Sequence, residues 1–204
     1  MFRISHYMQA LGQPAPGTIP EARKPSGPVV IWNLIRRCNL TCKHCYSISA
    51  DIDFPGELTT SQVFGVMEDL KRFGVTVLIL SGGEPLLRPD IYEISARARA
   101  MGFYTGLSTN GTLIDTGNIE QIVDVGYNYV GISLDGMRDT HDRFRQKPGA
   151  FDASLNAIRL CREAGIKVGM RFTPTQDTAH ELPDILRLMD DEDVDKLYVS
   201  HLNY

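Results

Sequence analysis

The chain has 204 residues, of which 43% are hydrophobic, and its 25 acidic side chains outnumber 21 Lys and Arg side chains, for a formal net charge of −4. This length and composition predict one soluble globular domain rather than two. The acidic balance argues against general nucleic-acid binding, which needs a concentrated basic face. No apolar run approaches the ~18 residues of a membrane span, and the N-terminus has no secretory signal, so we expect a cytoplasmic protein.

Residues 1–28 are predicted to form a region separate from the rest of the chain. Apolar side chains from Ile4 to Leu11 recur at helical spacing, and residues 13–28 contain five prolines. Because proline ends a helix, this pattern predicts a short amphipathic helix followed by an extended linker.

From residue 29 to residue 204, short β-rich apolar runs alternate with helical patterns. The predicted strands are Val29–Leu34, Val75–Leu80, Tyr104–Ser108, Tyr129–Leu134, Lys167–Phe172 and Lys196–His201. The predicted helices are Thr59–Phe73, Asp90–Met101, Asn118–Val125, Phe151–Ala164 and Glu181–Met189. Alternation of this kind predicts an α/β fold with a parallel sheet. The spacing fits both a partial barrel and an open doubly wound sheet.

The last predicted strand is the only one with no helix after it. We therefore expect the sequence to belong to a longer protein. The alternative is a native end on an edge strand.

Three of the four cysteines, Cys38, Cys42 and Cys45, follow the strand at Val29–Leu34 with the spacing Cys-x3-Cys-x2-Cys. Three thiolates on one loop favour an iron–sulfur cluster, because structural zinc needs four ligands. A zinc site completed by His44, and no metal at all, remain alternatives. Cys161 lies within a helical pattern, which is typical of a core residue.

The next three predicted strands end in short polar motifs, which are Ser81-Gly82-Gly83-Glu84-Pro85, Ser108-Thr109-Asn110-Gly111 and Ser133-Leu134-Asp135-Gly136. In barrel-type sheets the carboxyl ends of the strands carry the reactive groups, so these motifs are expected near the cysteines. Gly-Gly lets backbone approach a ligand closely, and Glu84 can receive a cation. Each motif is also an ordinary turn signal.

Two basic side chains follow the third motif, and another lies late in the fifth strand. Arg145 suits a carboxylate, whereas Arg143 is expected on a solvated charged loop. Arg171 faces either the site or a neighbouring helix.

The cysteine motif followed in order by GGEP, STNG and SLDG resembles the radical S-adenosylmethionine (SAM) superfamily. The resemblance runs from about Val29 to the end of the chain. It implies an α/β partial (β/α)6 TIM-like barrel in which Cys38, Cys42 and Cys45 bind a [4Fe–4S] cluster. It also implies that SAM chelates the fourth iron and is cleaved to a 5′-deoxyadenosyl radical, so that no catalytic residue is assigned beyond the cluster ligands.

The same resemblance assigns SAM contacts at the GGEP motif. Gly82, Gly83 and Glu84 correspond to residues that receive the SAM amino group, and Pro85 shapes their turn.

Further SAM contacts follow from the resemblance. Ser133 and Arg145 correspond to a pair that holds the SAM carboxylate. Ser108 and Asn110 lie where ribose contacts occur. His44 occupies the position whose backbone commonly meets adenine.

The start MFRISHYMQALG and the run from Leu34 to Leu58 resemble the heme d1 biosynthesis branch of the superfamily, the NirJ family. This implies a tetrapyrrole substrate, a didecarboxysiroheme whose propionate side chains are replaced by oxo groups. It also implies an electron donor such as flavodoxin or ferredoxin, and a second iron–sulfur cluster in a C-terminal region beyond this sequence. The alternatives are a peptide or protein maturase of the sulfatase-activating or thioether-forming type, and a non-catalytic iron–sulfur or zinc scaffold.

Overall fold

A computed structural model of the chain describes residues 2–3, 27–45, 47, 49–194 and 196–200. The helix predicted at Ile4–Leu11, almost all of the linker and the end of the last predicted strand lie outside the described residues.

The described strands form one sheet in the order β1-β7-β6-β5-β4-β3-β2. Their bounds are β1 Phe2–Arg3, β2 Val29–Asn33, β3 Val77–Ser81, β4 Tyr104–Thr109, β5 Tyr129–Ser133, β6 Val168–Phe172 and β7 Leu197–Val199. The neighbouring pairs from β2 to β7 are all parallel, which confirms the six predicted parallel strands. β1 pairs antiparallel with β7 and was not predicted, because two residues carry no periodicity.

The described helices are α1 Thr60–Arg72, α2 Ile91–Ala100, α3 Ile119–Val125, α4 Arg138–Arg145, α5 Ala150–Glu163 and α6 Leu182–Asp191. Five of them match the predicted helices to within two residues at each end. Thr59 begins α1 with a capping box, in which its side chain and that of Gln62 each accept from the other's backbone.

Helix α4 contains Arg143, which was expected on a solvated charged loop. Its sequence is mostly polar, and its buried face includes His141, Phe144 and Arg145. A helix whose buried face carries polar groups has little apolar periodicity, so the pattern was not recognised.

The core lies between the sheet and the helices. Buried apolar side chains at alternate strand positions, among them Leu80, Leu107 and Ile132, belong to two clusters that also contain the inner faces of the helices. Alternation leaves the residues between them, such as Ser108 and Ser133, on the opposite face of the sheet. That face is concave and faces the site described below. Among the described residues, no helix is both long and apolar enough to cross a membrane.

Candidate functional site

One cleft at the carboxyl ends of the strands brings together most of the predicted site residues. It has about 940 Å³ of empty space, part of which is solvent at its mouth. The lining includes the three clustered cysteines with His44, Gly82, Gly83, Ser108, Asn110, Ser133, Arg145 and Arg171. Of the residues assigned to SAM contacts, Glu84 and Pro85 are not part of this lining.

Residues 35–45, which carry Cys38, Cys42 and Cys45 and are called the cysteine loop below, are held from several sides by backbone hydrogen bonds. The N–H of Cys38 donates to the carbonyl of Ala50 at 3.1 Å, and the N–H of Lys43 donates to the carbonyl of Phe144, in α4, at 3.0 Å. The N–H of Cys45 turns back to the carbonyl of Cys42 at 3.1 Å. The loop therefore takes its shape from α4 as well as from its own sequence.

Each of the three thiols lies beside a polar group that can donate a hydrogen bond. Arg145 donates to the sulfur of Cys42 at 3.6 Å. The amide of Asn110 reaches the sulfur of Cys38 at 3.9 Å. The hydroxyls of Ser47 and Ser49 lie 3.3 and 2.9 Å from the sulfur of Cys45. Hydrogen bonds to sulfur are among the factors that set the potential of an iron–sulfur cluster.

The three thiols differ in acidity because they differ in burial and partners. Burial raises the pKa of Cys38 to about 11. Burial also raises the pKa of Cys42, although Arg145 opposes this effect. Burial opposes ionisation of Cys45, but hydrogen bonds from Ser47 and Ser49 outweigh it and lower its pKa. A cationic cluster would reverse the burial effect, because a coordinating thiol is deprotonated by the metal.

The donor set fits an iron–sulfur cluster. Three thiols line one cleft, each with a polar neighbour, and buried guanidinium and imidazole atoms lie next to them. In the described part of the chain, no three His, Cys, Asp or Glu side chains converge on the position of a single metal ion. The fit therefore rests on the three cysteines as ligands of a larger group.

The two glycines after β3 pack against the cysteine loop. A Cβ at Gly82 would lie 2.6 Å from the carbonyl oxygen of Ile35, and a Cβ at Gly83 would lie 2.4 Å from those of Arg36 and Arg37. The N–H of Gly83 donates to the carbonyl of Ile35 at 2.6 Å. The glycines thus bring two backbone segments together at the cleft, in addition to any approach they allow to a ligand.

Glu84 is fully buried, and its carboxylate points to the end of β4. One oxygen accepts from the hydroxyl of Thr109 at 2.7 Å and from the N–H of Leu86 at 3.1 Å. The other accepts from the N–H of Asn110 at 2.8 Å. Burial raises the pKa of Glu84, although these donors favour its ionised form. A direct contact between this carboxylate and the SAM amino group stays a prediction, and the geometry shows a bridge between two strand ends.

Replacing Glu84 with alanine is expected to lower the free energy of unfolding by about 2–4 kcal/mol, because three donors, two of them buried, lose their acceptor. Chemical denaturation at neutral pH measures the change. The matched control is Glu120→Ala on the exposed side of α3, which should leave the midpoint unchanged. Equal midpoints for the two variants would contradict the bridging role.

Asn110 connects β4 to the cysteine loop. Its side-chain amide donates to the side-chain oxygen of Asn39 at 3.0 Å and reaches the sulfur of Cys38, while its own oxygen accepts from the N–H of Thr112 at 2.8 Å. Ser108 accepts a hydrogen bond from Arg171. Contacts of Asn110 and Ser108 to a ribose stay predictions.

Asp135 belongs to the site, although the sequence assigned it no role of its own, because Asp-Gly is also an ordinary turn signal. It is fully buried and pairs with Arg145. Its other oxygen accepts from the N–H of Thr173 at 2.8 Å, and its carboxylate lies 3.6 Å from Nε2 of His44. Burial opposes its ionisation, but Arg145 and His44 hold its pKa below the usual range.

Two buried polar atoms beside the cysteines have no hydrogen-bond partner among the described residues. They are Nε of Arg145 and Nδ1 of His44. The ring of His44 stacks on Phe144, with centroids 4.4 Å apart. Because unpartnered buried donors are rare, these atoms are candidates to contact a bound cofactor.

Arg171 lies in the cleft, and Cys161 lies in the core. Arg171 lines the cleft, so it faces the site rather than a helix. Cys161 is completely buried in α5, and burial raises the pKa of its thiol to about 12. It is a core residue, as its helical spacing predicted.

Most of the chain matches one known protein family. The family model described as "Radical SAM superfamily" matches residues 32–189. The chain belongs to the radical SAM superfamily. This family implies a [4Fe–4S] cluster and SAM, and the three cysteines in the cleft are the residues that fit the cluster.

Curated relatives extend the match over the whole chain. "Pre-heme d1 synthase" of Dinoroseobacter shibae is 53% identical over 204 residues, which is 100% of this chain and 50% of that protein. "Fe-coproporphyrin III synthase" of Methanosarcina barkeri is 44% identical over 189 residues, 93% of this chain and 47% of that protein. The chain thus spans about half the length of these relatives.

A solved structure has the same fold. The structure of Streptococcus suis SuiB bound to S-adenosylmethionine matches with a TM-score of 0.76 at 18% identity, covering 88% of this chain and 42% of that one. The likeness confirms the α/β partial (β/α)6 barrel and decides against an open doubly wound sheet.

Proposed function

We propose that this chain is the radical-generating domain of an enzyme of heme d1 biosynthesis. Its substrate is a tetrapyrrole, a didecarboxysiroheme, whose propionate side chains are replaced by oxo groups. The observation that carries the proposal is the 53% identity to a pre-heme d1 synthase over every residue of the chain. Identity to an Fe-coproporphyrin III synthase, whose name also describes a tetrapyrrole product, supports the substrate class.

The chemistry of the proposed reaction belongs to the cofactors. When bound, a reduced [4Fe–4S] cluster supplies an electron to SAM and gives methionine and a 5′-deoxyadenosyl radical, which abstracts hydrogen from the substrate. Cys38, Cys42 and Cys45 are the proposed ligands. The polar groups beside their sulfurs support this assignment.

We also propose which residues orient SAM. Arg145, with its unpartnered Nε, and Ser133 hold the carboxylate, and the backbone at Gly82 and Gly83 receives the amino group. The location of all four residues in the cleft supports this assignment.

The remaining SAM contacts are proposed at His44 for adenine and at Ser108 and Asn110 for the ribose. All three line the cleft, which supports their assignment. Glu84 is proposed to receive the SAM amino group together with the two glycines, and Pro85 to shape their turn. The hydrogen bonds of the Glu84 carboxylate to the end of β4 hold this side chain in place.

The electron donor is proposed to be a flavodoxin or ferredoxin. A second iron–sulfur cluster is proposed outside this sequence. Both are tested on the full-length protein by iron content and by reduction with each donor.

Anaerobic reconstitution with iron and sulfide tests the proposal. We expect the broad visible absorbance of an iron–sulfur cluster and, with SAM and dithionite, formation of 5′-deoxyadenosine. Addition of didecarboxysiroheme should accelerate this formation and yield a product lacking propionate carbons by mass spectrometry.

The alternative functions give different results in the same assay. Acceleration by a precursor peptide, with none by didecarboxysiroheme, would indicate a peptide maturase. A protein that binds metal but never cleaves SAM would be the non-catalytic scaffold and would contradict the enzyme proposal.

A further inference from the structure

Arg171 lies across the concave face of the sheet rather than along its own strand. It belongs to β6, yet its guanidinium donates to the hydroxyl of Ser108 in β4. The side chain crosses β5 at Gly131, where a Cβ would lie 3.2 Å from Cδ of Arg171. Adjacent strands are about 4.8 Å apart, so the guanidinium lies over the middle of the sheet. The missing side chain at Gly131 leaves room for this crossing.

The two guanidiniums of the cleft differ in their charge environment. Arg145 pairs with the buried carboxylate of Asp135. No carboxylate in residues 27–45, 47, 49–194 and 196–200 forms an ion pair with Arg171, and no Asp or Glu is among the described residues that line the cleft. The hydroxyl of Ser108 does not neutralise the charge of Arg171. Arg171 is therefore the basic group in the described cleft without a protein counter-ion.

Arg171 also lies deeper in the barrel than the groups around the thiols. Arg145 contacts the sulfur of Cys42, and Asn110 contacts that of Cys38. The partner of Arg171, Ser108, lies within β4, whereas Asn110 comes two residues later, just after the carboxyl end of that strand. Arg145 is thus placed for an anion beside the cluster, whereas Arg171 is placed for a second anion further inside.

We propose that Arg171 binds a carboxylate of the substrate through the guanidinium N–H donors that its hydrogen bond to Ser108 leaves free. Resting on the proposed function, this carboxylate is a propionate side chain of the tetrapyrrole. A guanidinium presents paired N–H donors that match a carboxylate, and the partly buried position strengthens the interaction. Arg171 is then a residue that determines substrate specificity and is separate from the SAM contacts.

Tetrapyrrole binding to the full-length, cluster-reconstituted protein tests this role. The probes are iron coproporphyrin III, which carries four propionates, and its tetramethyl ester in the same detergent. The wild-type protein should bind the free acid at least ~10-fold more tightly than the ester. Arg171→Gln should lose this preference, while Arg171→Lys, which keeps the charge but not the paired donors, should retain part of it. The dissociation constant for SAM should be unchanged in both variants.

The matched control is Arg187→Gln, because Arg187 is exposed on α6 and pairs with Asp184. It should bind both probes as the wild-type protein does. Circular dichroism and cluster absorbance check that each Arg171 variant is folded. If Arg171→Gln does not fold, Gly131→Ala provides the test. Its added Cβ would press on Cδ of Arg171 at 3.2 Å and on the ring of Tyr129 at 3.1 Å, and should reduce the preference for the free acid.

The outcomes separate this inference from the proposed function. A wild-type protein that binds both probes equally, or an Arg171→Gln variant that keeps the full preference, overturns the role of Arg171 and leaves the tetrapyrrole function standing. Loss of SAM affinity in Arg171→Gln with unchanged porphyrin binding would make Arg171 a SAM contact. A wild-type protein that binds neither porphyrin nor didecarboxysiroheme overturns both.

Discussion

Replacing Cys42 with alanine is expected to abolish the visible absorbance of the reconstituted cluster and to lower the rate of 5′-deoxyadenosine formation at least ~100-fold. Loss of a neighbouring residue that only orients a metal ligand already costs about 10–100-fold, and Cys42 is itself a proposed ligand. Its thiol lines the cleft and accepts from Arg145. Absorbance after anaerobic reconstitution and chromatographic assay of 5′-deoxyadenosine measure the two effects.

Cys161→Ala provides the control for Cys42→Ala. Both variants remove one thiol, but that of Cys161 is buried in α5 and belongs to the core cluster. The control should keep cluster absorbance and SAM cleavage and lose about 1–2 kcal/mol of stability to the cavity. Equal cluster loss in both variants would show that the thiol chemistry has been assigned to the wrong residues.

Replacing Asp135 with asparagine is expected to lower the free energy of unfolding by about 3–5 kcal/mol, because it leaves the buried guanidinium of Arg145 without a counter-ion. The carboxylate has no exposed surface, and the side chain of Arg145 is only 10% exposed. Urea denaturation at pH 7 measures the loss. The variant should also bind SAM more weakly, since Arg145 is released from its position beside Cys42.

The same ion pair predicts a dependence of stability on pH. Because the pKa of Asp135 is lower in the folded protein, its stabilisation is present above the unfolded pKa of about 4 and is lost as the pH falls through the folded value. Stability of the wild-type protein should therefore decline below about pH 4 more steeply than that of Asp135→Asn. Unfolding curves at several pH values measure the difference.

Asp152→Asn is the matched control for Asp135→Asn. Asp152 pairs with Arg138 on the surface, where both side chains are more than half exposed. Surface ion pairs contribute about 0–1 kcal/mol, so this change should be small. If Asp135→Asn is no more destabilising than Asp152→Asn, the buried pair does not hold the site together.

The sequence predicted the fold well where the pattern is local. Alternating strand and helix periodicity located six parallel strands and five helices, because each pattern depends on residues within one element. Helix α4 was missed for the same reason, since its buried side includes the polar groups of His141 and Arg145. Arg145 nevertheless lines the cleft, although its helix was not foreseen.

Motif spacing likewise identified residues that line the cleft, but not the hydrogen bonds and ion pairs that these residues form. The motif did not predict that the Glu84 carboxylate bonds to Thr109 and Asn110 at the end of another strand. Asp135 belonged to a polar motif that was expected near the cysteines, but its role as the counter-ion of Arg145 was not predicted. Neither bond can be inferred from one motif, because its partners lie 10 to 26 residues away.

By itself, the sequence determined the parallel α/β architecture, because helix and strand periodicity are properties of short segments. The spacing of the three cysteines, which is also local, indicated the family. Only the tertiary structure decided which charges are neutralised. Asp135 meets Arg145 through the folding of α4 onto the end of β5. The sheet register pairs Arg171 with Ser133, and its side chain crosses β5 at Gly131, two residues before Ser133. Such pairings depend on how strands align and how helices pack across the sheet, and these relations between distant segments exist only once the chain has folded.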